Sequence, residues 1–197
     1  MTERSIADGR VRLLGAVDAP GVSAWAPIAH RHAVPAAATI TLATTAWPLR
    51  TAGASRPRDL AWGDLHAWVE HPAASVVMHA GPAAAPRLVG TADLTRGTAT
   101  VTVPHAAAVA DVAGALLLAS GILLAQHGHL LMHAGAIVAP TGEAWLLVGD
   151  THSGKSTTVA TLIAAGWRWV ADDTVVVTAD ATGTLTAAGW VRQPHLD

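Results

Sequence analysis

The spacing of apolar positions changes three times along the second half of the chain. Residues 106–126 follow Pro104, are apolar nearly all round and close near Gly128, which predicts a helix buried against a sheet. Residues 131–139 (LMHAGAIVA) and 144–148 (AWLLV) then read as two strands, separated at hairpin spacing by Pro140-Thr141-Gly142-Glu143. After Gly149 the period lengthens. Residues 155–165 (KSTTVATLIAA) are helix-like, with Val159, Leu162 and Ile163 on one face and Gly166 in the C-cap position. A strand over 167–171 (WRWVA) ends at Asp172-Asp173, β structure resumes over 174–178, and Ala181-Thr182-Gly183 turns into a short strand around 184–187. The alternating Trp167 and Trp169 predict one indole in the core and one near a polar surface. The first hundred residues carry shorter β-type runs, such as 39–43 (TITLA), 75–79 (SVVMH) and 98–103 (TATVTV), joined by Pro-, Gly- and Ala-rich connections. The predicted class is α/β (α+β), with a mostly β region over 1–104 and an α/β core over 105–197.

Composition narrows the reading. With 51% hydrophobic and 13% charged residues the chain can bury a core, and its formal charge of −2 gives no electrostatic reason to bind nucleic acid or an acidic membrane. The most apolar run, 112–125, has fourteen residues, short of the roughly 18–20 a membrane-spanning helix needs. The N-terminal residues are charged early and lack a long apolar stretch, so no signal peptide and a cytoplasmic location are expected. Without cysteine, neither disulfides nor thiolate metal sites can form.

Lysine usage points to the chemistry. Eleven arginines supply every other fixed positive charge, and the only lysine is Lys155. It lies in Gly149-Asp150-Thr151-His152-Ser153-Gly154-Lys155-Ser156, a complete G-x-x-x-x-G-K-S between an apolar strand and an amphipathic helix. Glycines let consecutive N–H groups turn toward phosphate oxygens, and the helix N-terminus adds partial positive charge. A lysine reaches β- and γ-phosphates as a compact point charge where arginine's planar fork fits poorly. The Ser156 hydroxyl is a magnesium ligand in this pattern. These residues and Thr157 are the candidate nucleotide-binding set for ATP or another nucleoside triphosphate; the side chain of His152, at a free position of the pattern, reads as solvent-facing.

Asp172-Asp173 follows Lys155 by seventeen residues, at the end of the next strand. Ligands of open α/β sheets bind beyond the carboxyl ends of strands, so both carboxylates are expected to face the phosphates. One would hold Mg²⁺ and the other accept a proton from an attacking hydroxyl. His133 reads first as a core histidine, and His127 and His129 in QHGH, flanking a helix end, as a candidate metal-binding pair.

The order of these features over 131–177 resembles the catalytic domain of HPr kinase/phosphorylase and its relatives: a histidine before a hairpin, the P-loop, a helix ending in Gly, a strand and an Asp pair. The resemblance implies a P-loop fold with a twisted mixed sheet, shared with ATP-dependent phosphoenolpyruvate carboxykinase, and phosphoryl transfer from a nucleotide to a serine of a peptide or protein. By position it makes Asp172 the general base, gives Asp173 a role toward Mg²⁺ and the loop lysine, and places His133 near the acceptor. It also implies a homo-oligomer. Relatives with divergent N-terminal halves include kinases of ribosomally made peptides of the lasso type, which makes such a peptide a candidate acceptor and residues 1–104 a candidate substrate-recognition module. The family's catalytic domain continues past the Asp pair with a magnesium-associated Glu and an Arg-bearing loop, whereas no Glu follows Glu143 here; the core is therefore expected to be incomplete at its C-terminus. That departure keeps a second reading open, a nucleotide-binding regulatory or assembly module with little transferase activity. A carboxykinase-type small-molecule enzyme ranks last, because no dicarboxylate site or His/Lys metal cluster is visible.

Overall fold

The computed structural model describes residues 2–6, 11–15, 38–45, 60–62, 65–70, 74–81, 85–150 and 152–190, which form two sheets and two helices. The first sheet contains β1 (Thr2–Ile6), β2 (Val11–Gly15), β3 (Ala38–Thr45), β4 (Leu60–Trp62), β5 (Leu65–Glu70), β6 (Ser75–Ala80), β7 (Leu88–Asp93) and β8 (Thr98–Pro104), in the order β1-β2-β3-β8-β7-β6-β5-β4. The β2–β3 and β3–β8 pairs are parallel and the others antiparallel. Period-two patterning explains its two-sided character: in β8, Ala99, Val101 and Val103 are buried while Thr98 and Thr100 face out.

Helix α1 (Val109–Ala125) lies over this sheet. Val112, Leu116, Ala119 and Leu123, at helical spacing, pack with Leu13, Ile40, Leu42, Met78, Leu88 and Val101. Arg87 ties the first turn of the helix to the start of β7: its Nε and Nη2 donate to Asp111 Oδ2 and Oδ1 at 2.9 and 3.1 Å. The opposite side of α1 meets the second sheet, and Val176 and Trp190 belong to the same core. Contact with both sheets leaves the middle of α1 buried or half-buried, which accounts for its apolarity, while Val109 at its start is exposed. Leu123→Ala should lower unfolding free energy by about 2–5 kcal/mol, read by chemical denaturation.

The second sheet is built around one long strand, β9 (His129–Val138). The C-terminal half of β9 pairs with β10 (Ala144–Val148) on one edge and with β11 (Arg168–Ala171) on the other; its N-terminal half pairs with β12 (Thr174–Ala179), which pairs with β13 (Leu185–Gly189). Every recorded pairing here is antiparallel, so the mixed pairing expected around the loop occurs instead in the first sheet. The physical reason is the crossover. β10 and β11 run in the same direction, as a strand–helix–strand unit requires, but β9 lies between them and pairs with both.

Helix α2 (Lys155–Ala164) makes that crossover and packs on β9. Its close approach depends on Gly135, where a β-carbon would lie 2.8 Å from Val159 Cγ2. Gly135→Ala should therefore cost about 1–3 kcal/mol, measured by thermal or denaturant unfolding. Of the three apolar residues expected on the inner face of α2, Val159 is buried over Gly135, Leu162 is half-buried and Ile163 is exposed. The helix ends in paired bonds, Gly166 N to Ile163 O and Trp167 N to Leu162 O, at 2.9 and 3.0 Å. Trp167 and Trp169 are both half-buried, which differs from the expected in/out split: Trp167 packs edge-on against Trp145 across the sheet, with ring centroids 5.7 Å apart. The turn between β12 and β13 is closed by Asp180, whose carboxylate accepts from Thr182 Oγ1, Thr184 N and Thr182 N; these bonds hold its carboxyl below the ordinary carboxylate range.

Candidate functional site

Strand direction brings the site together. Because β10 and β11 run the same way on either side of β9, their C-terminal ends emerge at the same end of the sheet. Val148, the last residue of β10, pairs with Ala134, and Ala171, the last of β11, pairs with Ala136. The glycine loop leaves β10 there and the Asp pair leaves β11 there. His133 sits on β9 itself, one residue before Ala134, where it pairs with Thr174.

The Asp pair is held by the ladder as well as by the chain. The register on β9 shifts between Trp169 and Ala171, a β-bulge of the kind that re-aims the residues beyond it. Pairing resumes at Thr174, and the Ala134 N–H donates to Asp173 O at 2.9 Å across the gap. Asp172-Asp173 thus follows the end of β11, as expected, and forms a break between β11 and β12 along one antiparallel edge of β9.

The two carboxylates have different surroundings. Asp172 is 7% exposed. Asp173 has a side chain 58% exposed and is oriented by two neighbours: His133 Nδ1 lies 3.2 Å from Oδ1, and Thr174 Oγ1 donates to Oδ2 at 2.9 Å. The same imidazole nitrogen lies 3.1 Å from Asp173 O. Placed at sheet register and tied to Asp173, His133 is not the apolar-core histidine of the first reading.

On the other side of the cleft, the loop turns into α2 at Gly154, whose φ of +89° lies in the left-handed region that glycine adopts without strain. No side chain caps this helix end, so the amides of its first turn are open to a ligand. Lys155 folds back over the loop, and its Nζ donates to Gly149 O at 2.8 Å and Asp150 O at 2.7 Å. The ammonium is thus held at the loop's mouth. Gly149 is also tightly fitted, since a β-carbon there would come 2.8 Å from Ser153 Oγ.

Between these walls lies a cavity of about 370 Å³. The loop side contributes His152, Gly154, Lys155, Ser156 and Thr157; the sheet side contributes His133, Asp172 and Asp173. Gly149, Asp150 and Ser153 form the body of the loop behind it, while Thr151 lies outside the described residues. His152 is exposed, as expected of a loop side chain at a free position, and it also lines the cavity. Two contributors escaped sequence reasoning. Thr174 reads as an ordinary β residue, and only its place directly after the Asp pair hints at a role. Gly135 is visible only as a small residue inside an apolar strand, a known sign of close approach.

Among the described residues no group of three or more His, Cys, Asp or Glu side chains forms a metal cage, and His129 Nδ1 lies instead 2.8 Å from Thr178 Oγ1. Asp173 and Ser156 line the same cavity, and one carboxylate with one hydroxyl is a donor set with which Mg²⁺ can bind alongside substrate phosphates. Among the described residues no helix is long and apolar enough to cross a membrane. No family model matches this chain, and no curated protein matches it.

Proposed function

We propose that the chain is a Mg²⁺- and nucleotide-dependent kinase with a P-loop fold, transferring the terminal phosphoryl group of a nucleoside triphosphate to a serine of a peptide or protein. The observation that carries this reading is convergence. His152, Gly154, Lys155 and Ser156 of the phosphate-loop motif, a buried Asp172 and the His133–Asp173 pair, whose members are 40 positions apart in sequence, line one cavity.

Catalysis in this reading is positioning plus charge neutralisation. Asp172 accepts the proton of the serine hydroxyl. The freed oxygen forms a bond to the terminal phosphorus, and the P–O bond to the departing nucleoside diphosphate breaks. Lys155 and the amides of the first turn of α2 stabilise the charge that develops on that diphosphate. Ser156 and Asp173 would hold Mg²⁺, which when bound neutralises phosphate charge. His133 and Thr174 fix the orientation of Asp173. Because Asp173 and His133 are both substantially exposed, an acceptor residue on a chain too large to enter the cavity can still reach it. A ribosomally made peptide of the lasso type, a cytoplasmic setting, a homo-oligomeric assembly and a recognition role for residues 1–104 complete the proposal.

The second reading, a nucleotide-binding regulatory or assembly module, draws on the fact that both Asp173 carboxylate oxygens already have protein partners. Incubation with γ-labelled ATP, Mg²⁺ and serine-bearing peptides separates the two. The kinase reading expects Mg²⁺-dependent label in phosphoserine. Saturable ATP binding without transfer to any acceptor favours the module.

A further inference from the structure

Among the described residues only Ala74 and His152 are non-glycine residues with positive φ, and His152, at +63°, is the one in the glycine loop. Glycine adopts this conformation freely, and the loop uses it where backbone shape alone is needed, at Gly154. At 152 a side chain is kept where glycine would relax the backbone. Strain of this kind is retained where the side chain does something glycine cannot.

The position indicates what that is. His152 lines the cavity from the loop wall, three residues before Lys155. The other cavity imidazole, His133, belongs to the sheet wall and is engaged with Asp173. Lys155 donates to the loop's own carbonyls. Among the described residues the His152 ring has no hydrogen-bond or ion-pair partner, so an imidazole N–H is available on the wall where phosphate oxygens would sit.

We infer that His152 determines specificity at this site, its imidazole donating a hydrogen bond to the terminal phosphate of a bound nucleoside triphosphate. The inference rests on the phosphate-binding reading of the loop. It gives the site a way to tell a triphosphate from a diphosphate: the loop amides and Lys155 serve both, whereas His152 contacts only the group that is transferred.

The test compares ATP and ADP affinities, each with Mg²⁺, for the wild type, His152→Gly and His152→Asn, with thermal unfolding in parallel. His152→Gly should unfold no earlier than wild type, lose about tenfold in ATP affinity and keep ADP affinity within about twofold. His152→Asn tolerates the left-handed backbone and keeps a donor, so it should recover part of the loss. Equal losses for ATP and ADP in His152→Gly, or no loss for either, would overturn the inference while leaving the loop a nucleotide site. An effect confined to acceptor KM would also overturn it by placing the ring on the acceptor. Wild-type protein that binds neither nucleotide would remove the loop reading itself.

Discussion

Replacing Lys155 by alanine should weaken ATP·Mg²⁺ binding by about 10–100-fold, the loss of a charge-assisted phosphate contact worth about 1.5–3 kcal/mol. Transfer should fall further, by a total of about 10³-fold or more, because the ammonium also stabilises charge that grows as the phosphoryl group leaves. The fold should persist. Lys155 is half-buried, and its protein contacts are two loop carbonyls that water can satisfy once the side chain is gone. Lys155→Arg is the sharper variant. It keeps the charge, but a guanidinium cannot sit as a point between Gly149 O, Asp150 O and a phosphate, so it should restore little of the lost transfer. Affinity and single-turnover rate together check this. An arginine variant with wild-type transfer would show that charge alone is needed.

The second large effect concerns Asp172. Asp172→Asn keeps the shape of a buried side chain and removes its capacity to take a proton, so transfer should fall by about 10²–10⁴-fold while ATP·Mg²⁺ affinity stays within a few-fold. The corresponding change at Asp173 should behave differently. Asp173→Asn disturbs the contacts with His133 and Thr174 and a proposed magnesium oxygen, so its effect should be relieved in part by raising Mg²⁺ concentration, whereas that of Asp172→Asn should not. If both variants respond alike, the assignment of separate roles to the two carboxylates fails.

The legible part of this protein was its second half, because there the local signals agree with one another. The all-apolar run before Gly128, the hairpin spacing around Pro140–Glu143 and the shift to helical period at Lys155 each correspond to an observed element, to within a few residues. The loop and the Asp pair were legible as chemistry because their residue types are constrained by phosphate geometry rather than by packing. Sheet topology was not legible. The strand ending at the Asp pair and the one resuming at Thr174 are legible in WRWVADDTVVV, but nothing there says that β11 and β12 share one edge of β9. Gly135 escaped because its importance comes from Val159 of the helix packed over it, and Thr174 because its residue type alone does not announce the bond to Asp173. In the first half, β3, β6 and β8 stood out by alternation, whereas β1, β4 and β5 left no comparable pattern although each pairs with a strand next to it in sequence. The φ of His152 is a property of the folded loop and leaves no trace in composition.

The most direct test is an equilibrium titration of wild type and Lys155→Ala, in parallel, with a non-hydrolysable ATP analogue and Mg²⁺. A single saturable site is expected in the wild type, at least tenfold weaker in the variant. Absence of saturable binding, or the same affinity in both proteins, would contradict it.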